Sequence, residues 1–156
     1  MRRNEKAIIQ RTNLDTVIHQ AKICHLACCA EDEPYVIPIS FGYDGKSIFF
    51  HTAKTGKKIN ILAANPRVCL AFEDKITLVK DKEQACKWSF DFSSVIVTGK
   101  IEEISDSDGK KAALNQIMLH YSEQSWQIPG KDLSKIKVWR VKIENITGKQ
   151  SPAKPA

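Results

Sequence analysis

The sequence predicts a mainly β domain with α, a small antiparallel barrel of six short strands with three flanking helices. Three observations lead there. Apolar and polar residues alternate with a period of two over several separate stretches, an Asp44-Gly45 step stands between two of those stretches, and three other segments switch to helical spacing. The chain has 156 residues, 42% of them apolar and 27% charged, which matches a globular domain with a buried core. A single domain is expected over residues 1–149, followed by an unstructured tail, 150–156, that carries two prolines.

Leu14, Val17, Ile18 and Ala21 fall on one helical stripe, predicting a first helix over 13–21 with Thr12 or Asn13 as its cap. From Ile23 the period changes, and strands are expected over 23–30, 35–43 and 47–52. Glu31-Asp32-Glu33-Pro34 separates the first two. The Asp44-Gly45 turn folds the second and third into a hairpin. Ile59, Leu62 and Ala63 predict a short helix that starts at Thr55-Gly56-Lys57-Lys58 and stops before Asn65-Pro66. A strand follows at 67–73, then a charged, turn-like stretch at 74–85, then two strands, Cys86–Phe92 and Ser93–Ile104. Asp106, Ser107 and Asp108 introduce a helix to 121 that carries Leu114, Ile117, Met118 and Tyr121 on one side. A loop over 122–134 with Pro129-Gly130 leads to a last strand, 136–146.

A net charge of +6 comes from 24 basic and 18 acidic residues that interleave along the chain. No run of five or six like charges marks a nucleic-acid arm, so nucleic acid is not an expected partner. No apolar run approaches the ~20 residues of a membrane span, and Met1-Arg2-Arg3-Asn4-Glu5-Lys6 leads into no apolar signal segment. The expected location is the cytoplasm, off the membrane.

The five cysteines, Cys24, Cys28, Cys29, Cys69 and Cys86, are an odd number and do not suit a disulfide framework. Cys24, His25, Cys28 and Cys29 resemble a metal cluster in sequence only. On a strand, Cys24 and Cys28 stand about 13 Å apart at ~3.3 Å per residue, with Cys29 on the other face. One ion cannot bind all three, so these thiols are read as small packing residues and no metal is expected.

The chemistry concentrates in Phe49-Phe50-His51-Thr52-Ala53-Lys54-Thr55-Gly56-Lys57-Lys58. A strand runs into a helix whose first turn carries two lysines, where the helix dipole favours acids. Free backbone N–H groups, a glycine that permits close approach and two ammonium groups together suit a phosphate dianion. The bland alternative is a solvated lysine face. His51 ends the strand a few residues earlier, placed either to pack or to meet the same ligand.

The runs Pro34–Tyr43, Ile48–Ala53, Gly56-Lys57-Lys58, Asn65-Pro66, Ser93–Lys100 and Ile146–Lys149 closely resemble the flavin-binding split-barrel proteins related to pyridoxamine-phosphate oxidase, most of all their nitroimidazole-resistance branch. The resemblance implies a six-stranded split barrel that forms a homodimer, with FMN in clefts between subunits. It assigns the ring-contacting strand to Ile37, Pro38, Ile39 and Ser40, the neighbouring strand to His51, Thr52 and Ala53, and the phosphate turn to Lys57 and Lys58. Trp88, Ser94 and Trp139 hold positions suited to the partner subunit's share of the cleft, and Lys149 is a further phosphate candidate. His51 matches a histidine beside the flavin that is implicated in activity in the resistance branch. The cysteine-rich first strand and an insertion, Lys80–Lys87, depart from the family pattern and bear on the shape of the pocket.

The function implied is that of an FMN-dependent oxidoreductase acting on a small, for example nitroaromatic, substrate, with a reduced nicotinamide or a reduced protein as donor. No Gly-x-Gly-x-x-Gly run supports a resident dinucleotide. A flavin storage or sensing module without turnover shares the same anion site. Haem occurs in relatives of the split barrel, yet nothing local marks His51 or His25 as an axial ligand.

Overall fold

A computed structural model describes residues 4–152. The chain forms β1 (Ala7–Ile8), α1 (Arg11–Gln20), β2 (Cys24–Ala30), β3 (Glu33–Ile39), β4 (Gly42–Tyr43), β5 (Ser47–Ala53), α2 (Lys57–Ala64), β6 (Arg67–Val79), β7 (Ser89–Ile104), α3 (Ser107–Ser122) and β8 (Ile136–Ser151). The strands make one antiparallel sheet in the order β3-β2-β6-β7-β8-β5-β4, with β1 on β8. This is a split-barrel architecture. Among the described residues it has eight strands, not six; β1 and β4, of two residues each, are too short to show a period in sequence.

α1 forms because Leu14, Val17 and Ile18 share the face that packs into the barrel. It begins earlier than its apolar stripe, since the Gln10 carbonyl accepts from Asn13 and Leu14 and no side chain caps it. β2 and β3 pair from Cys24 with Ile39 to Ala30 with Glu33. Their turn, Glu31-Asp32, has both residues at positive φ, 50° and 62°, the conformation that matches strand twist in a two-residue hairpin. Pro34 and Pro38 lie within β3 because it is an edge strand, where a missing N–H breaks no ladder.

The expected strand over 35–43 proves to be two. Only Gly42 and Tyr43 pair with β5, opposite Phe49 and Ile48, whereas β3 pairs with β2. Between them Ser40-Phe41 carries the chain from one end of the sheet to the other. Phe41 is fully buried, and its N–H donates to the Tyr121 hydroxyl, which donates in turn to the Lys22 carbonyl. Gly42 then passes against α3 so closely that a Cβ there would lie 2.4 Å from a Gln116 backbone carbon.

β6 continues to Val79 through an irregularity between Asp74 and Thr77, where Lys75 takes φ 55°. Thr77 to Val79 pair with Asp91 to Ser89, so the stretch read as turn-like from 74 is largely a hairpin arm. The charged run misled because an exposed two-stranded arm has no face that must be apolar. β7 is correspondingly one strand, and Cys86 lies in a short 3-10 turn, Ala85–Lys87. Asp81 closes that loop: its side chain accepts from the N–H groups of Glu83 and Gln84, and its carbonyl accepts from the Trp88 indole.

β8 also outruns its expected end. Gln150 and Ser151 continue the ladder opposite Ser93 and Phe92, so these two residues belong to the strand and not to the expected tail; residues 153–156 lie outside the described residues. The core holds Phe41, Phe50, Phe72, Leu26, Leu70, Val95, Val97 and Val141, and Cys24 and Cys28 pack within it. A second cluster, Phe49, Ala113, Ile117 and Val138, fixes α3 on the outer face of β5 and β8. Among the described residues no helix is long and apolar enough to cross a membrane.

Candidate functional site

β5 sorts its side chains by alternation. Ile48, Phe50 and Thr52 point into the barrel, and His51 and Ala53 are exposed on the other face. Thr52 is 4% exposed; its hydroxyl accepts from the Trp139 indole at 3.0 Å and donates to the Ala53 carbonyl at 2.8 Å. The proton of that hydroxyl is committed internally, so the Thr52 side chain offers a ligand no donor. Trp139 is likewise buried, stacked on Phe50, which removes it from the surface a second subunit could meet.

His51 stands opposite Val138, at the margin of the α3 cluster. Desolvation by these neighbours, and then the positive charge of Lys58, hold the imidazole below its ordinary pKa. It is therefore neutral near pH 7, with one nitrogen donating and one accepting. The influence of Lys58 also shows that the histidine and the phosphate turn lie within electrostatic reach of each other.

A helix begins where the sequence predicts one. α2 starts at Lys57 after Gly56, whose φ of 122° excludes most side chains and which offers none as a cap. The space where its Cβ would stand is open, so a ligand can approach the first turn of the helix. The two lysines then part company. Lys58 is half-buried and acts on His51. Lys57 reaches back to the start of β3, where Nζ donates to Glu33 Oε1 at 2.6 Å and lies 5.3 Å from the Tyr35 ring centroid. Glu33, by hydrogen bond and then by charge, raises the Lys57 pKa.

On β3, Pro38 is exposed, Ile37 is half-buried and Ile39 is buried, and Ser40 just beyond the strand is exposed. β3 ends the sheet, so one side of its backbone is unpaired and its N–H and C=O groups can meet a polar ring edge. The structure thus places Ile37–Ser40 at the end of the edge strand β3, His51–Ala53 at the end of β5, and Lys57–Lys58 at the start of α2, where Lys57 pairs with Glu33 at the opposite end of β3. Ser94 and Lys149 face each other across β7 and β8, with Lys149 over the Phe92 ring. Lys149 is eleven residues beyond Val138 on β8, on the order of 30 Å along a strand, so within one chain it does not join Lys58. Trp88 is 48% exposed on the β6–β7 arm.

Glu33 and Tyr35 were missed as neighbours of Lys57. They lie about two dozen positions from it on another strand, a separation that no local period reports. An open groove of about 450 Å³ lies on the outer face of β2, β6 and β7, lined by Ala27, Cys29, Pro34, Arg67, Cys69 and Thr98. Val36 on β3 and Ile96 on β7 stand exposed on those strands.

Comparison with known proteins fits this geometry. Residues 10–150 match the family model described as pyridoxamine 5′-phosphate oxidase. An uncharacterised protein of Rhizobium meliloti (strain 1021) is 25% identical over 124 residues, 79% of this chain and 74% of that one. A solved structure described as a candidate 5-nitroimidazole antibiotic resistance protein from Bacteroides thetaiotaomicron VPI-5482 is 33% identical, with TM-score 0.81, over 92% of this chain and 85% of that one. The fold is also that of a FAD and heme binding protein from Mycobacterium smegmatis, 20% identical with TM-score 0.81, over 97% of this chain and 76% of that one.

Proposed function

The chain belongs to the pyridoxamine 5′-phosphate oxidase family, among flavin-binding split barrels, and on that premise we propose that it is an FMN-binding oxidoreductase acting as a homodimer on a small, for example nitroaromatic, substrate. The observation that carries the reading is the uncapped first turn of α2, with Lys57 and Lys58, set within electrostatic reach of His51. These residues suit a phosphorylated flavin. The helix N–H groups and the two ammonium groups would hold the phosphate, and the unpaired backbone edge at Ile37–Ser40 would meet the polar edge of the ring.

The flavin, when bound, supplies the electron-transfer chemistry. The chain's own residues do the rest. Pro38 and Ala53 offer small apolar surface against a flat ring, and the α3 cluster behind His51 excludes water from one side. His51, neutral near pH 7, is placed to donate its N–H to an oxygen of the substrate and to pass it a proton as negative charge grows there. The electron donor in this reading is a reduced nicotinamide or a reduced protein. The open groove with the exposed Val36 and Ile96 supports a second copy as the cover of this face. The reading sets the protein in the cytoplasm, with neither nucleic acid nor membrane as partner.

An ultraviolet–visible spectrum of the purified protein tests this directly. A flavin spectrum, or uptake of added FMN in an absorbance titration, is expected; a colourless protein that takes up none overturns the reading. Anaerobic mixing with NADH or NADPH then separates enzyme from storage module. Bleaching followed by reoxidation with a nitroaromatic compound supports turnover, and an inert bound flavin supports the module.

A further inference from the structure

Lys57, the first of the two phosphate candidates, is not a bare cation. Glu33 Oε1 lies 2.6 Å from its Nζ and the Tyr35 ring lies beneath it. Lys58 is engaged differently, through its effect on His51. Resting on the flavin reading above, we propose that Glu33 is a specificity-determining residue: it competes with a ligand's phosphate for Lys57 and so sets how strongly the site prefers a phosphorylated flavin over an unphosphorylated one.

The pair is built for exchange. Its side chains are 53% and 64% exposed, and an ion pair in that setting is weakly held because water and salt screen it. A phosphate monoester brings nearly two negative charges and three acceptor oxygens to the same ammonium group. It can therefore displace a single carboxylate. The displaced Glu33 stays tethered at the start of β3, beside the exposed acids Glu31 and Asp32 of the hairpin turn, and repels the incoming anion. The phosphate contact thus gains less than two free lysines would give. A flavin without phosphate neither breaks the pair nor feels that repulsion. The Tyr35 ring, 5.3 Å from Lys57 Nζ, gives the ammonium a second contact that breaking the pair with Glu33 does not itself remove.

The test titrates FMN and riboflavin against the full chain as wild type, Glu33→Gln, Lys57→Gln and the double variant, following flavin fluorescence. Glu33→Gln is expected to tighten FMN about 2- to 5-fold, the size of the exposed pair it removes, and to leave riboflavin unchanged. In the Lys57→Gln background the substitution at Glu33 loses its effect on FMN, because the competition acts through that lysine. Equal shifts for FMN and riboflavin, or an effect that persists without Lys57, would overturn the proposal while leaving the flavin reading intact. If neither flavin binds any variant, the flavin reading itself fails. The competition is then read with inorganic phosphate as the stabilisation of Glu33→Gln beyond wild type in a thermal melt, and equal stabilisation overturns it.

Discussion

His51 and the two lysines show how much one residue's meaning depends on its neighbours. The depressed pKa of His51 comes from desolvation and from Lys58, and that of His120 from burial against Phe41 and from His19, partly offset by its bond to the Ala21 carbonyl. Both histidines bind protons more readily unfolded than folded. Stability is therefore fully present above the ordinary histidine pKa of 6.5 and falls as pH drops from there through the folded values. Melting temperature should decline as the pH falls below about 6.5, and His120→Gln should flatten the decline; a flat wild-type profile would refute it. His51→Ala should keep the flavin and lose turnover, measured as nitroaromatic-dependent reoxidation, whereas Lys57→Ala with Lys58→Ala should weaken FMN binding by removing its charge-assisted contacts. Unchanged FMN affinity in that double variant would remove the phosphate assignment. Among the thiols, burial raises the Cys24, Cys28 and Cys69 pKa values, whereas Cys86 is exposed. Cys86 should accordingly react first with a thiol reagent at neutral pH, and Cys24 only on unfolding.

Close approach, more than periodicity, decides the elements around the site. Gly42 lets β4 slide under α3, and Gly99 lets β7 pass the Lys142 carbonyl, where a Cβ would lie 2.0 Å away. Gly42→Ala must push α3 off β5 and disturb the cluster of Phe49, Ile117 and Val138 behind His51. A loss of about 1–3 kcal/mol is expected from such overpacking, read in a urea melt, together with weaker shielding of His51. Asp106 caps α3 through the Gly109 N–H; Asp106→Ala should cost about 1 kcal/mol. The elements legible in sequence were those with an amphipathic face to report: α1, α2, α3 and the central strands. The arm of β6 and β7 was not, because Thr77–Val79 and Ser89–Asp91 pair with each other and lie on no core that would impose alternation.

At the scale of the molecule, the sheet ends on β3 on one side and on β5 and β4 on the other, and the candidate site draws on both ends. Exposed Val36 on β3 and Ile96 on β7 border one open face of the sheet, so the proposed dimer should appear as twice the chain mass in light scattering. Replacing Ile96 with Glu, on that face and away from the core, should shift the mass toward a monomer and weaken FMN together with it.

By itself the sequence determined the barrel class, the order of its main elements, and the helix start at Gly56 with its two lysines and His51 just before it. These signals are local: alternation, a turn dipeptide, two lysines against a helix dipole. Tertiary structure alone decided that residues 35–43 split between opposite ends of the sheet, that Thr52 and Trp139 satisfy each other inside the barrel, and that Lys57 meets Glu33. Each of these depends on which strands become neighbours when the sheet closes, and that closure brings together residues far apart in the chain, where no local pattern carries the information.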